Sequence, residues 1–502
     1  MDIKQDNGQD ELFLSAIIEE FSKARSRRSQ WEGLWHDCYD YALPHRGTSL
    51  SGSSENRRRG EHLFDATASD AVDELASLLL GNLTPPLVPW FAIKAGTDLS
   101  EEEAQKIAPV LDKATRIVQA HFDQSNFLVE VHQCFLDLVV AGTASLAFEE
   151  ADPGAASAFR FTALPLQDVY LGEGDHGGLD QVFRPLSLTV PQILARYDGV
   201  ELPLHILQDG YNSPDKIYHM VECVVPVGGQ RGYRLCAFLV DDGGFVFSEK
   251  ISSSPFINFR WMKSPGDVYG RSPVMKSLPD IKTANKVVEL ILKNASIAVT
   301  GIWQAEDDGV INPATIELVP GAIIPKALGS KGLTPLEMPA RFDVSQLVLE
   351  DLRTRIRHAL LVDRLPPVGG NKLTATEILE RSGQMALLLG ATFGRLQVEF
   401  LNPLLQQAYQ ILRRRGVVPD LPLDGRTLAI EYRSPLARAQ AGQHVQSMMG
   451  WLQTASALGP EGLARVDRGA MVDYLARILG VPAALILPDT VDSQSNSTSN
   501  TQ

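Results

Sequence analysis

Apolar side chains recur every three or four residues through Phe13, Ile17, Phe21, Trp31, Trp35, Cys38 and Ala42. That spacing predicts an amphipathic helix over 12–42, with Ser26–Ser29 as the place where it could break. Pro44 ends it, and the Gly/Ser-rich stretch 46–60 reads as a loop closing on three arginines. Further helices are predicted at about 65–81, 101–122 and 128–141. From about Ala158 to Arg260 the texture changes. Short Val-, Tyr- and Phe-rich runs (Ile217–Val225, Tyr233–Val240, Phe245–Ser248) alternate with Gly-containing turns, which predicts an antiparallel meander of at least three strands.

Helical spacing then returns. Val274, Leu278, Ile281, Ala284, Val288, Ile291, Ala295 and Ala298 form one stripe, with Lys276, Asp280, Lys286, Glu289 and Lys293 on the other side. Residues 302–344 are β segments punctuated by Pro and Gly. A second amphipathic helix carries Val348, Leu352, Ile356 and Leu360 on one face. It breaks at VDRLPPVGGNK, where Pro366–Pro367 and Gly369–Gly370 forbid regular structure. Thr374 and Glu377 form a capping box opening a long helix to about Arg415, kinked at Pro403. Within it Gly383, Gly390 and Gly394 would permit close helix contact. Helices at about 436–458 and 462–479 follow, and the Ser/Asn/Thr-rich stretch 489–502 reads as disordered. The fold class expected is α+β, mainly helical.

Composition narrows the function. The 502 residues carry 61 Asp and Glu against 46 Lys and Arg, a net charge of −15. That excludes a protein that wraps nucleic acid electrostatically, since such binders need surplus cations facing phosphate. Residues 341–440 depart from the rest, with 14 Lys and Arg against 10 Asp and Glu, a pattern that a solvated helix face explains. Cys38, Cys134, Cys223 and Cys236 are too few and too scattered for a disulfide scaffold, and read as reduced core thiols. The acidic, polar start is unlike a signal peptide, and no apolar run approaches ~18 residues, so a soluble protein made in the cytoplasm is expected.

The search for chemistry returns little. Gly172, Gly174 and Gly177 match a dinucleotide fingerprint in spacing, but extended Val182–Phe183 follows where a helix N-terminus would be needed, so a plain turn is the better reading. There is no Gly-Lys dipeptide, hence no phosphate-cradling loop of the usual form, and no zinc-binding helix motif or nucleophile elbow. The acidic groups Glu149–Glu150–Asp152, Asp241–Asp242 and Glu306–Asp308 could hold a divalent metal for nuclease chemistry. Each lies beside Gly or Pro between apolar segments, where solvated turn carboxylates are expected anyway. No catalytic residue, metal site or cofactor is assigned.

Five blocks together carry a resemblance: RRSQWEGLWHDCYDYALPHRG (Arg27–Gly47), LFDATASDAVDELASLLLGNLTPPLVPWF (Leu63–Phe91), VYGRSPVMKSLPDIKTANK (Val268–Lys286), KLTATEILER (Lys372–Arg381) and EYRSPLARAQ (Glu431–Gln440). In this order they resemble the head-to-tail connecting (portal) proteins of short-tailed, podovirus-type phages. The resemblance implies a ring of twelve subunits around a DNA channel at one capsid vertex. It implies an outer wing (1–272), stem helices (273–299 and 345–362), a β-containing clip (300–344) and a tunnel loop (363–373). A long wing helix with a return strand (374–435) and a helical crown (436–488) complete the subunit. The tunnel-loop groups facing DNA would be Arg364, Pro366, Pro367, Gly369, Gly370, Asn371 and Lys372. Ile281, Val288, Ile291, Leu352 and Ile356 would face neighbouring subunits. Implied partners are double-stranded DNA passing without sequence recognition, the terminase large subunit, tail adaptor proteins, the major capsid protein and scaffold, with no membrane. Two other readings stay open: a metal-dependent DNA-processing enzyme of the virion, and a different head–tail adaptor or scaffold.

Overall fold

The computed structural model describes residues 7–46, 62–174, 177–197, 199–200, 202–227, 232–240, 244–300, 303–305, 333–335, 342–364, 390–433, 435–457, 459 and 466–479. Helices α1 (Asn7–Ala42) and α2 (Thr67–Leu83) precede strand β1 (Phe91–Ala95), helices α3 (Glu101–Asp123) and α4 (Phe127–Ala141), and strands β2 (Thr143–Glu150) and β3 (Phe159–Leu164). Strands β4 (Tyr170–Gly172) and β5 (Gln181–Thr189) lead to short helices α5 (Val190–Arg196) and α6 (Leu204–Asn212). Strands β6 (Ile217–Pro226), β7 (Tyr233–Leu239), β8 (Phe245–Ile251) and β9 (Phe256–Arg260) follow. Then come α7 (Pro273–Thr300), β10 (Trp303–Ala305), β11 (Leu333–Pro335) and α8 (Phe342–Ala359). Helix α9 (Gly390–Leu396), a π turn (Gln397–Leu401), α10 (Asn402–Arg414), β12 (Leu428–Tyr432), α11 (Pro435–Ala457) and α12 (Arg468–Leu479) complete the order. The class is α+β and helix-rich. Two compact units emerge: Met1–Gly33, Asp73–Ser272 and Arg364–Gln502 in the first, Leu34–Val72 and Pro273–Asp363 in the second.

In the first unit the expected meander is a five-stranded antiparallel sheet, β4-β5-β6-β7-β8. Strand period sorts β6 between two cores. Val221, Cys223 and Val225 face Leu14, Ile17 and Ala24 of α1, while Met220 faces Val190, Ile193 and Ile206 of α5 and α6. Covering both faces explains why β6 reads as a continuous apolar run. Its one charge, Glu222, is buried but accepts from Nε and Nη2 of Arg196 at 3.2 and 2.9 Å and from the Tyr197 hydroxyl at 2.9 Å. Arg28 of α1 is also buried, donating to the Val169 carbonyl and stacking on Tyr170. Helix α1 therefore runs unbroken through Ser26–Ser29; the Ser29 hydroxyl simply returns a bond to the Ser26 carbonyl.

A second sheet, β3-β2-β9, packs under α4. Gly142 caps α4 at φ 76°, and a Cβ there would lie 2.4 Å from the Gly270 carbonyl oxygen. At Gly270 the reciprocal Cβ would lie 2.1 Å from Gly142 O, so neither position accepts a side chain. A third pairing joins β1 to β12 beside α3. The irregularity expected at Pro403 takes the form of the π turn just before it, because Pro403 has no N–H to give the helix ladder. Nothing lies within 4 Å of a Cβ built at Gly390 or Gly394, so these glycines do not mark the close helix contacts expected of them.

Leu87 stands at φ 61° and is 82% exposed, so it carries left-handed strain without burial in return. Leu87→Gly removes roughly 1–2 kcal/mol of strain and adds about 0.5–1 kcal/mol of unfolded-state entropy. A net gain of about 0.5–1 kcal/mol is expected in urea denaturation; a lower midpoint refutes the strain argument.

Candidate functional site

The second unit is built on α7 and α8, which pack along one another. Val274, Leu278, Ile281 and Ala284 are buried on α7, and Leu349, Leu352, Ile356 and Leu360 at α8. Ile281, Leu352 and Ile356 are thus covered within the chain itself, while Val288 and Ile291 are only half-buried. Val348 is not on the buried face. Steps of four residues drift by about 40° each on a 3.6-residue helix, so Leu349 takes the inward place and Val348 stays 45% exposed. Leu290 (48%), Leu292 (52%) and Leu347 (75%) are exposed as well. The proximal apolar stripe closes on itself; the distal part does not.

Polar side chains set the geometry around it. The Asn285 carbonyl oxygen accepts the Phe64 amide at 2.6 Å and the Asp65 amide at 3.1 Å, and its nitrogen donates to the His62 carbonyl at 2.9 Å. Asp65 takes the Thr67 amide at 3.0 Å and a guanidinium nitrogen of Arg353 at 2.9 Å. Burial raises the Asp65 carboxyl, but the Thr67 and Arg353 hydrogen bonds outweigh it and leave it below the ordinary carboxylate value. Lys282 reaches Asp37 at 2.7 Å beside the Tyr41 ring. Three of the five sequence blocks converge here.

The outward cations of the pair are mostly neutralised. Lys286 and Lys293 share Glu289, which they hold below the usual carboxylate range, and Arg355 pairs with Asp280 at 2.9 Å. Among the described residues, Lys276 and Arg357 have no ion-pair partner. Such a surface has little free cation with which to hold phosphate.

The first unit holds a charged cluster with no counterpart in the sequence reading. Arg260, fully buried at the end of β9, meets both Glu399 oxygens, with Nη2 to Oε1 at 2.7 Å. It also donates to Glu173 at 2.8 Å, to the Val268 carbonyl and to the Gly177 carbonyl. Lys263 pairs with Glu173 too. Burial raises the Glu173 carboxyl, but Lys263 and Arg260 more than offset it. The π turn is what carries Glu399, and backbone bonds from Gly174 to Gly178 (3.1 Å) and from Gly177 to Gly174 (3.0 Å) set the Gly177 carbonyl that the guanidinium reaches. One signal was available: FINFR puts an arginine at the end of a buried strand, which demands nearby carboxylates.

Comparison with known sequences now decides the family. Residues 14–487 match the model of the family described as "Bacteriophage head to tail connecting protein". The chain belongs to this family. The connector is 25% identical over 501 residues to the "Probable portal protein" of Bordetella phage BPP-1, covering 94% of this chain and 88% of that one. Against the "Portal protein" of Salmonella phage epsilon15 it is 25% identical over 508 residues, with coverage of 94% and 88%. Against that of Enterobacteria phage T3 it is 22% identical over 492 residues, with 93% and 87% covered.

Within the connector, Leu361 in the turn after α8 lies in the left-handed region (φ 62°), and His358 Nδ1 lies 2.8 Å from the Asp363 carboxylate across that bend. Arg364 closes the 3₁₀ turn Val362–Arg364. Pro366, Pro367, Gly369, Gly370, Asn371 and Lys372 lie outside the described residues, as do Thr374, Glu377, Gly383, Asp241–Asp242, Glu306–Asp308 and 489–502. Of the acidic groups, Glu149, Glu150 and Asp152 are described, and Glu150 is engaged by Arg414 at 3.1 Å and Arg415 at 2.6 Å. Among the described residues no cluster of His, Cys, Asp and Glu could hold a metal ion, and no helix is long and apolar enough to cross a membrane.

Proposed function

We infer that this connector is a portal protein, a twelve-subunit ring at one capsid vertex through which the genome is packaged and ejected. The observation that carries the reading is similarity to phage portal proteins across 93–94% of the chain. The paired helices α7 and α8 serve as the stem around the channel. Their distal apolar positions Leu290, Leu292, Leu347 and Val348 pack on the next subunit, together with the half-buried Val288 and Ile291. Neutralised outward cations suit a wall past which duplex DNA slides without sequence recognition. The ring acts as conduit and docking platform, not as a catalyst. The terminase large subunit docks during packaging, tail adaptor proteins dock afterwards, and the major capsid protein and scaffold surround the wing.

Native mass spectrometry of the purified protein tests this directly. Assemblies near twelve times the 54.9 kDa chain mass are expected. A monomer at every concentration and ionic strength overturns the reading. Leu290→Glu combined with Leu292→Glu is expected to dissolve the rings while the far-ultraviolet circular dichroism stays unchanged. Rings that survive both charges place the interface elsewhere.

The segment Asp363–Leu373 is proposed as the tunnel loop, with Arg364, Asn371 and Lys372 as its groups able to touch phosphate. Its Pro-Pro pair stiffens one end and its Gly-Gly pair loosens the other. Deleting Pro366–Gly370 is expected to leave rings intact and impair DNA packaging or retention. A mutant that retains a full genome reduces the loop to a linker.

A further inference from the structure

Strands β6 and β7 set Cys223 directly opposite Cys236. The same register carries two backbone bonds, Val227 N to Gly232 O at 3.1 Å and Val240 N to His219 O at 3.0 Å. Hydrogen-bonded and non-hydrogen-bonded pairs alternate along an antiparallel ladder. Cys223 lies an even number of residues from both Val227 and His219, so the cysteines form a hydrogen-bonded pair with Cα atoms about 5.5 Å apart. Disulfides span Cα separations of roughly 4.4–6.8 Å.

The side chains agree with the backbone. Both cysteines turn into the same core, with Leu14, Ile17 and Phe183, and both are buried. The Cys236 sulfur also lies 3.7 Å from the Ser248 hydroxyl of β8. The other cysteines have different surroundings: the Cys134 thiol donates to the Ser145 carbonyl, and Cys38 belongs to the second unit.

We propose that Cys223 and Cys236 are a latent disulfide site, closed by two-electron oxidation with a hydroperoxide to staple β6 to β7. One thiol gives up its proton, and its sulfur attacks a peroxide oxygen. The O–O bond breaks, leaving a sulfenic acid and water. The second sulfur then attacks the sulfenic sulfur, the S–O bond breaks, and a second water leaves with the remaining thiol proton. In sum, two thiols and one hydrogen peroxide give one disulfide and two waters. The neighbouring Cys236 thiol, followed by burial, holds the Cys223 thiol well above its ordinary value. The reaction is therefore slow at neutral pH and speeds up as pH rises. A bond at a hydrogen-bonded pair pulls the Cβ atoms closer than the ladder sets them, which makes it readily reducible. Only its timing rests on the portal reading: a virion component meets oxidants after it leaves the reducing cytoplasm.

The test uses the full chain. Purified protein is incubated with hydrogen peroxide at pH 8, quenched with catalase, unfolded, alkylated with iodoacetamide and weighed intact. Two of the four thiols should escape alkylation, return after dithiothreitol, and map to a 223–236 cross-link. Cys223→Ser should leave all three remaining thiols open to alkylation, and the oxidised wild type should melt higher than the reduced protein. Four alkylated thiols after prolonged oxidation, a cross-link to another cysteine, or a lower melting temperature each overturn the proposal. A monomer that still forms the 223–236 bond refutes the ring alone, and a ring without the bond refutes the staple alone.

Discussion

Arg260→Met is expected to cost about 3–5 kcal/mol, the largest loss of any single substitution considered for this protein. The volume change is small, so a cavity is not the cause. Removing the guanidinium leaves Glu399 with Arg395 at 3.0 Å and the backbone amide of residue 260 at 3.0 Å, and Glu173 with Lys263. The Val268 and Gly177 carbonyls lose their donor as well. Arg260→Met combined with Glu399→Gln removes one stranded charge and should recover part of the loss. Urea denaturation with purified protein reads both. A midpoint unchanged in the single variant would mean that water already shields these carboxylates.

Asn285→Leu is the second large effect, a loss of about 2–4 kcal/mol. Leucine keeps the branched heavy-atom skeleton of asparagine but leaves the Phe64 and Asp65 amides without their acceptor and the His62 carbonyl without its donor. The Asp65–Arg353 pair depends on the same segment, so its geometry should loosen too. Calorimetry should show a lower melting temperature. An unchanged melt would show that the segment before α2 holds its place without Asn285.

These two sites mark where sequence reading succeeds and where it stops. The α7 stripe follows from spacing alone, because each apolar residue reports its own helix face. The meander was legible for the same reason, as β6, β7 and β8 are neighbours in sequence as well as in the sheet. Strand β2 was not, since TASLAFEE follows α4 after a single glycine and pairs with β9 more than a hundred residues later. Arg260 could be flagged as an arginine in an apolar strand, but Glu399 reaches it only through a π turn that no periodicity announces. Val348 was assigned to the wrong face because strict four-residue spacing ignores the helical drift. The tunnel-loop side chains were read by resemblance and composition, which say which groups are available and nothing of where they point.

The pairing of β1 with β12 bears on how the chain is made. Ala95 faces Leu428, so the first strand leaves the ribosome more than three hundred residues ahead of its partner. At about 5–20 residues per second, the delay is on the order of 15–70 s. Meanwhile α7 and α8 come close together in the nascent chain and can zip up early. Phe91–Ala95 must wait as a short segment with α3 beside it but no strand on its edge, a natural template for the wrong chain. Lys94, its fourth residue, reaches Glu431 at 2.6 Å once the ladder forms. Until then its bare ammonium is a charge on that edge, the feature that disfavours pairing with the edge of another chain.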